Sequence, residues 1–160
     1  MNTKEDVLKL IAELELPPIV KTIFEKGDLP VEVKYSFGCP EEFFIMTEEE
    51  LAPWDPARIC PLFDDGNFGK IYAYHREKKK FLSFYTDDPG PIEEVPCMSW
   101  DSLFVPTVLS WWEDEIEDDR IIELGNEFGL KHVEHLLATI DDDSDDWQEE
   151  QIARIEKLEN

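Results

Sequence analysis

Basic residues are scarce in this chain: 15 Lys and Arg stand against 39 Asp and Glu, for a formal net charge of -24. A field of that sign repels nucleic acid and anionic lipid, so neither is expected as a partner, and it accelerates encounter with cationic surfaces. The one basic cluster, Lys78 to Lys80, is a short turn among acids. Cysteine is also sparse, with Cys39, Cys60 and Cys97 odd in number and without CxxC spacing, which argues against a disulfide framework or a zinc site. With 7 glycines, no phosphate-binding loop is present. No apolar run reaches the roughly 18 residues of a membrane span, and charges interrupt the N-terminal MNTKEDVLKLIAELEL where a signal peptide would be apolar. A cytoplasmic protein is expected.

Apolar and aromatic residues are plentiful. They make up 42% and 12% of the chain, with 5 Trp and 10 Phe, which excludes global disorder despite the charge. A length of 160 residues suits one domain, large enough to bury roughly 68 to 70% of its unfolded surface. The acids thicken towards the end: the first 110 residues carry a formal -10 and the last 50 carry -14.

Hydrophobic period changes along the chain. Val7, Leu8, Leu10, Ile11 and Leu14 recur at helical spacing and stop before Pro17. Pro17 and Pro18 open a second short helix, IVKTIFEK, for which Gly27 is expected as the C-terminal cap. Val31, Val33, Tyr35 and Phe37 alternate with polar residues and predict a strand, and FFIM at residues 43 to 46 is a second candidate. ARICPLF, the turn Asp64-Asp65-Gly66-Asn67, GKIYAYH, the turn REKKK and FLSFYT predict a three-stranded antiparallel meander over residues 57 to 86. Asp87 to Pro91 reads as a loop. Beyond VPCMSW the period is helical again: a helix through Trp111 and Trp112 with Pro106 in its first turn, then IIELGNEFG, LKHVEHLLATI, the polar run DDDSDD, and a last helix from Trp147 to Leu158. This order gives an α+β fold, an antiparallel-rich central sheet flanked by N-terminal and C-terminal helices.

Candidate chemistry is thin. His132 and His135 share helical spacing, yet no HExxH or HxxEH frames them, so no metal is expected. No GxSxG or cysteine nucleophile signature occurs. DDDSDDWQEE fails as a calcium loop because Ile152 falls where a bidentate Glu belongs and the sixth position is not Gly. Asp64 and Asp65 are read first as turn residues, with Gly66 at positive φ, and only second as general acid and base or magnesium ligands. A catalytic function is therefore not expected, no cofactor is implied, and a metal-dependent hydrolase is the weakest reading.

WWEDEIEDD is harder to assign to local stability. At the C-terminal end of the Trp111 helix, Glu113, Asp114 and Glu115 oppose the macrodipole, by about 0.3 to 1 kcal/mol per exposed acid. Asp118 and Asp119 instead suit the start of the next helix. Beside two tryptophans, of which burial in the core is the competing fate, such acids fit a binding patch with an aromatic anchor and a charged rim. The expected partner-binding residues are Asp64, Asp65, Trp112, Glu113, Asp114, Glu117 and Asp118, facing a basic protein.

The central stretch MTEEELAPWDPARICPLFDDGNFGKIYAYHREKKKFLSFY, followed by MSWDSLFVPTVLSWWE, resembles the SUKH superfamily of Smi/Knr-type proteins, named after a fungal regulator of cell-wall synthesis. Leu16-Pro17, Asp64-Asp65-Gly66-Asn67 and Ser99-Trp100 through Leu103 stand where that family has a Leu-Pro step, a central hairpin and a helix-opening step. The likeness spans residues 15 to 115; Glu25-Lys26-Gly27-Asp28 replaces the family's Asn-Gly-Gly, and the segment from Asp119 falls outside it. It implies a SUKH-like α+β domain over 1–118 with an acidic helical extension, 119–160, packed on it. It also implies a non-catalytic module, in bacteria often an immunity protein that blocks a nuclease-type toxin, or alternatively a regulatory or scaffold protein without a toxin partner.

Overall fold

A computed structural model describes residues 2–88, 90–141 and 144–159. The fold is α+β, with a three-stranded antiparallel sheet. The chain divides into two compact units, one running up to Cys97 and one beginning at Met98. The division falls upstream of residue 118, where the sequence suggested it. The Trp111 helix accordingly belongs with the helices that follow it, because those are the elements it packs on.

In the first unit, α1 (Lys4–Glu13) starts at a capping box in which Thr3 Oγ1 accepts from the Asp6 amide at 3.1 Å and Asp6 Oδ2 accepts from the Thr3 amide at 3.0 Å. It buries Val7, Leu10 and Ile11. Pro18 opens α2 (Pro18–Phe24), which buries Ile19, Val20, Ile23 and Phe24; both helices pack on the first strand. The left-handed residue that ends α2 is Lys26, at φ 60, rather than Gly27, whose amide instead closes the outer bond to Thr22 O at 2.8 Å. The short helix α3 (Glu48–Leu51) follows, with a second capping box between Thr47 and Glu50.

Strands β1 (Ile59–Asp64), β2 (Lys70–His75) and β3 (Lys80–Tyr85) pair in sequence order, as the meander pattern predicts. One sheet face carries Ile59, Ile71, Ala73, Leu82 and Phe84, packed with Phe43, Leu51 and Ile92. The outer edge of β1 is filled. Arg76 donates to Arg58 O at 2.8 Å, so the backbone groups of Ile59 point away from β2. There its N–H donates to Asp55 O at 2.9 Å and its carbonyl accepts from Asn2 Nδ2 at 3.1 Å. Pro61, next to a bulge, has no N–H to offer, and Asp64 exchanges both bonds with Gly38, at 3.2 and 2.8 Å. An edge so occupied is closed to strand addition.

Two predicted strands are not strands. Residues 31–36 form successive turns, with Val33 donating to Pro30 O and Ser36 to Val33 O. Of FFIM, Phe43 and Phe44 end a 3-10 turn, Glu41–Phe44, and Ile45 is its cap. In the first case the alternation misleads because burial follows a spacing of four: Val33 and Phe37 are 0% and 5% exposed, whereas Val31 and Tyr35 are 80% and 81% exposed.

In the second unit, α4 (Trp100–Leu103) is capped by Ser99, and α5 (Val105–Glu113) follows after Phe104 with Pro106 in its first turn. Then come α6 (Asp118–Glu127), α7 (Val133–Thr139) and α8 (Trp147–Glu159). Phe128 sits between Phe104 and Trp111, at ring-centroid distances of 5.1 and 6.0 Å. Gly125 lets α6 approach α7, since a Cβ there would lie 2.5 Å from Val133 Cγ2.

The turn assignment at 31–37 has a direct check. Val33→Ala removes two buried carbon groups and should lower unfolding free energy by roughly 1.5 kcal/mol, while Tyr35→Ala should stay within about 0.5 kcal/mol of wild type. Equal losses in chemical denaturation would restore the strand reading, in which both side chains share a face.

Candidate functional site

The hairpin between β1 and β2 is built by its acids. Asp64 is only 4% exposed, and its Oδ1 accepts from the Gly66 amide at 2.8 Å. Asp65 Oδ1 accepts from the Asn67 and Gly69 amides at 3.1 and 3.0 Å. Gly66 has φ 89, and a Cβ on it would stand 2.5 Å from Tyr35 O, so the turn excludes any other residue. Burial pushes the Asp64 carboxyl above the usual range, against the Gly66 and Phe68 amides that pull it down. Both acids thus shape a turn, and the side chain of Asp64 is buried in it. Beside the turn lies a groove of ≈ 580 Å³ bordered by Lys26, Asp28, Lys34 and Tyr35.

The acids of the second unit are arranged differently. Trp111 is buried at 3% exposure and Trp112 is half-buried. At the end of α5, Glu113 is its last residue, Asp114 its cap and Glu115 the left-handed residue, at φ 63. Glu115 donates to Trp112 O at 3.1 Å and Ile116 to Trp111 O at 3.2 Å, the two bonds of a Schellman ending. Glycine is the favoured residue at that position. Glu15 and Lys26 stand at equivalent positions after α1 and α2, so the left-handed backbone alone does not mark Glu115 out. Glu117 precedes α6 without a side-chain capping bond, and Asp118 and Asp119 occupy its first turn. Glu113, Asp114, Glu115, Glu117, Asp118 and Asp119 are all exposed, and among the described residues none of them makes an ion pair. Of the residues expected to bind a partner, Trp112, Glu113, Asp114, Glu117 and Asp118 therefore share one helix junction, whereas Asp64 and Asp65 belong to the other unit. Glu115 and Asp119 complete the junction; the same WWEDEIEDD run held the signal for them.

Several other titratable groups are committed to structure. Asp101 Oδ2 accepts from the Lys131 and His132 amides at 2.7 and 3.0 Å, fixing the entry to α7. Glu156 Oε2 accepts from Ser99 N and Ser102 Oγ at 3.0 and 2.7 Å, holding α8 to α4. No sequence motif announced either, because their partners lie tens of residues away. His132 precedes α7 and faces Glu159 at 3.1 Å; the exposed His135 lies within α7. His75 Nδ1 accepts from the Lys78 amide. Among the described residues, no three His, Cys, Asp or Glu are placed to hold a metal. Burial pushes the Cys39 and Cys60 thiols up to about 11, and that of Cys97 up as well, opposite to the shift an attacking thiolate needs.

Burial also raises the Asp101 carboxyl, against the pull of its two amide donors. The folded protein then holds that proton more tightly than the unfolded chain, so this contribution to stability falls as pH rises through the folded value and is regained near the ordinary Asp value of about 3.9. Asp101→Asn keeps an oxygen for both amides and removes the titration. Between about pH 4 and 7 the variant should lose less stability than wild type; an equal or steeper loss in denaturant titrations at each pH would contradict the assignment.

Against known proteins, the chain matches no protein-family model, no curated protein and no solved structure.

Proposed function

We propose that the protein is a non-catalytic, acidic protein-binding module, and that it acts in the cytoplasm as an immunity protein that binds and neutralises a basic, nuclease-type toxin. The observation that carries this reading is the junction of α5 and α6: six exposed acids that make no ion pair among the described residues, next in the chain to a half-buried indole. The acids at the end of α5 oppose its macrodipole, so local stability does not call for them there. The field around them is strong, since the unit from Met98 onwards holds 19 acids against 4 bases, a formal -15. A protein that covers a cationic nucleic-acid cleft gains from presenting carboxylates where phosphates would lie. The SUKH resemblance supports the same class of partner, and the assignment to that superfamily is part of the proposal.

The test uses kinetics. Long-range attraction raises association rates, up to about 10⁸ to 10⁹ M⁻¹s⁻¹ at low salt, and fades as ions screen the field within about 8 to 10 Å. The partner is first captured on the immobilised protein from the source cell at low salt and purified; stopped-flow mixing then compares wild type with a variant carrying Glu113→Gln, Asp114→Asn, Glu117→Gln and Asp118→Asn. The variant should associate more slowly and with a flatter salt dependence. Its thermal stability should be nearly unchanged, because relief at the end of α5 offsets loss at the start of α6. Equal association rates at every salt concentration would reduce the patch to a solvated surface.

A further inference from the structure

Trp54 ends the short 3-10 turn Ala52–Trp54 and packs, partly buried, against the core of the first unit, its ring 5.0 Å from Phe43 and 6.3 Å from Phe84 between centroids. Its Nε1 is buried and has no hydrogen-bond partner among the described residues. An indole N–H is a donor only, and a buried one nearly always finds an acceptor. Trp100 shows the usual solution, donating directly to Phe128 O at 2.6 Å.

A cavity beside Trp54, lined by Asn2, Phe43, Leu51, Ile59, Pro61 and Phe84, leaves ≈ 10 Å³ for the centre of a water molecule. That is room for about one water. Its wall is not wholly apolar. Pro56 O and Ile59 O each accept one bond from Asn2 Nδ2, at 3.1 Å, and each carbonyl keeps a second lone pair. Pro61 O accepts from the Cys60 thiol at 3.8 Å. Asn2 is itself oriented by Arg76, which donates to its Oδ1.

We propose that this cavity is the binding site of a single ordered water, which accepts from Trp54 Nε1 and donates to backbone carbonyls of the 56–61 stretch. One donor and two or three acceptors on residues that line a one-water space match what an internal water needs. The water ties the 3-10 turn to the outer edge of β1 where Asn2 already holds it, and it bars the cavity to a partner's side chain.

Solution NMR on the full chain tests this. The Trp54 indole N–H, identified by its loss in Trp54→Phe, should show a rotating-frame Overhauser peak to a long-lived water, whereas the Trp100 indole should show none. Should Trp54→Phe fail to fold, the wild-type crystal structure decides, with density for one water within hydrogen-bond distance of Nε1. A missing peak at Trp54, a dry cavity, or an Nε1 donating directly to a protein carbonyl would overturn the proposal.

Discussion

With 15 bases for 39 acids, this fold cannot neutralise its carboxylates side chain against side chain, and its ordered acids are held instead by backbone amides and hydroxyls. Asp6 and Glu50 close capping boxes, Asp64 and Asp65 build the β1–β2 turn, Asp101 fixes the entry to α7, and Glu156 joins α8 to α4. Amide N–H groups are the donors every chain has in supply, and satisfying a carboxylate with them needs no basic residue. The ion pairs that do form are mostly exposed, such as Lys26 with Glu41, and contribute little. Cohesion then rests on apolar burial within each unit, on Phe63, Ile71 and Leu82 in one and on Phe104, Leu124 and Phe128 in the other.

Most helices and the meander were legible because their signals are local. Val7, Leu10 and Ile11 recur at helical spacing, Pro18 and Pro106 mark first turns, and Asp-Gly-Asn between alternating runs marks a hairpin. What stayed hidden depends on contacts distant in sequence. Residues 31–37 alternate like a strand, but the chain there has to turn so that Tyr35 O meets Gly66, and burial falls on Val33 and Phe37. The division at Cys97 depends on which helices α5 packs against, so the proline-containing run DDPGPIEEVP just before it read only as a loop and not as a boundary.

The candidate site was partly legible for the same reason. Acids at the α5–α6 junction are contiguous in sequence, so WWEDEIEDD displayed them, and the fold keeps them exposed beside Trp112. Asp64 misled because charge in a turn reads as surface, whereas the bridge to Gly38 carries that end of β1 inward and buries its side chain. The edge of β1 is closed by Asn2, Pro61 and Gly38, which leaves charge and the Trp112 surface, rather than strand addition at β1, as the means of recognition in this account.

The central claim is that a basic protein seats on the junction of α5 and α6. Amide hydrogen exchange of the complex with its captured partner measures this directly, because protection reports which backbone segment is covered. The account predicts added protection concentrated at residues 112–119, falling away as salt is raised. Protection confined to the unit before Cys97, with residues 112–119 exchanging as in the free protein, would contradict it.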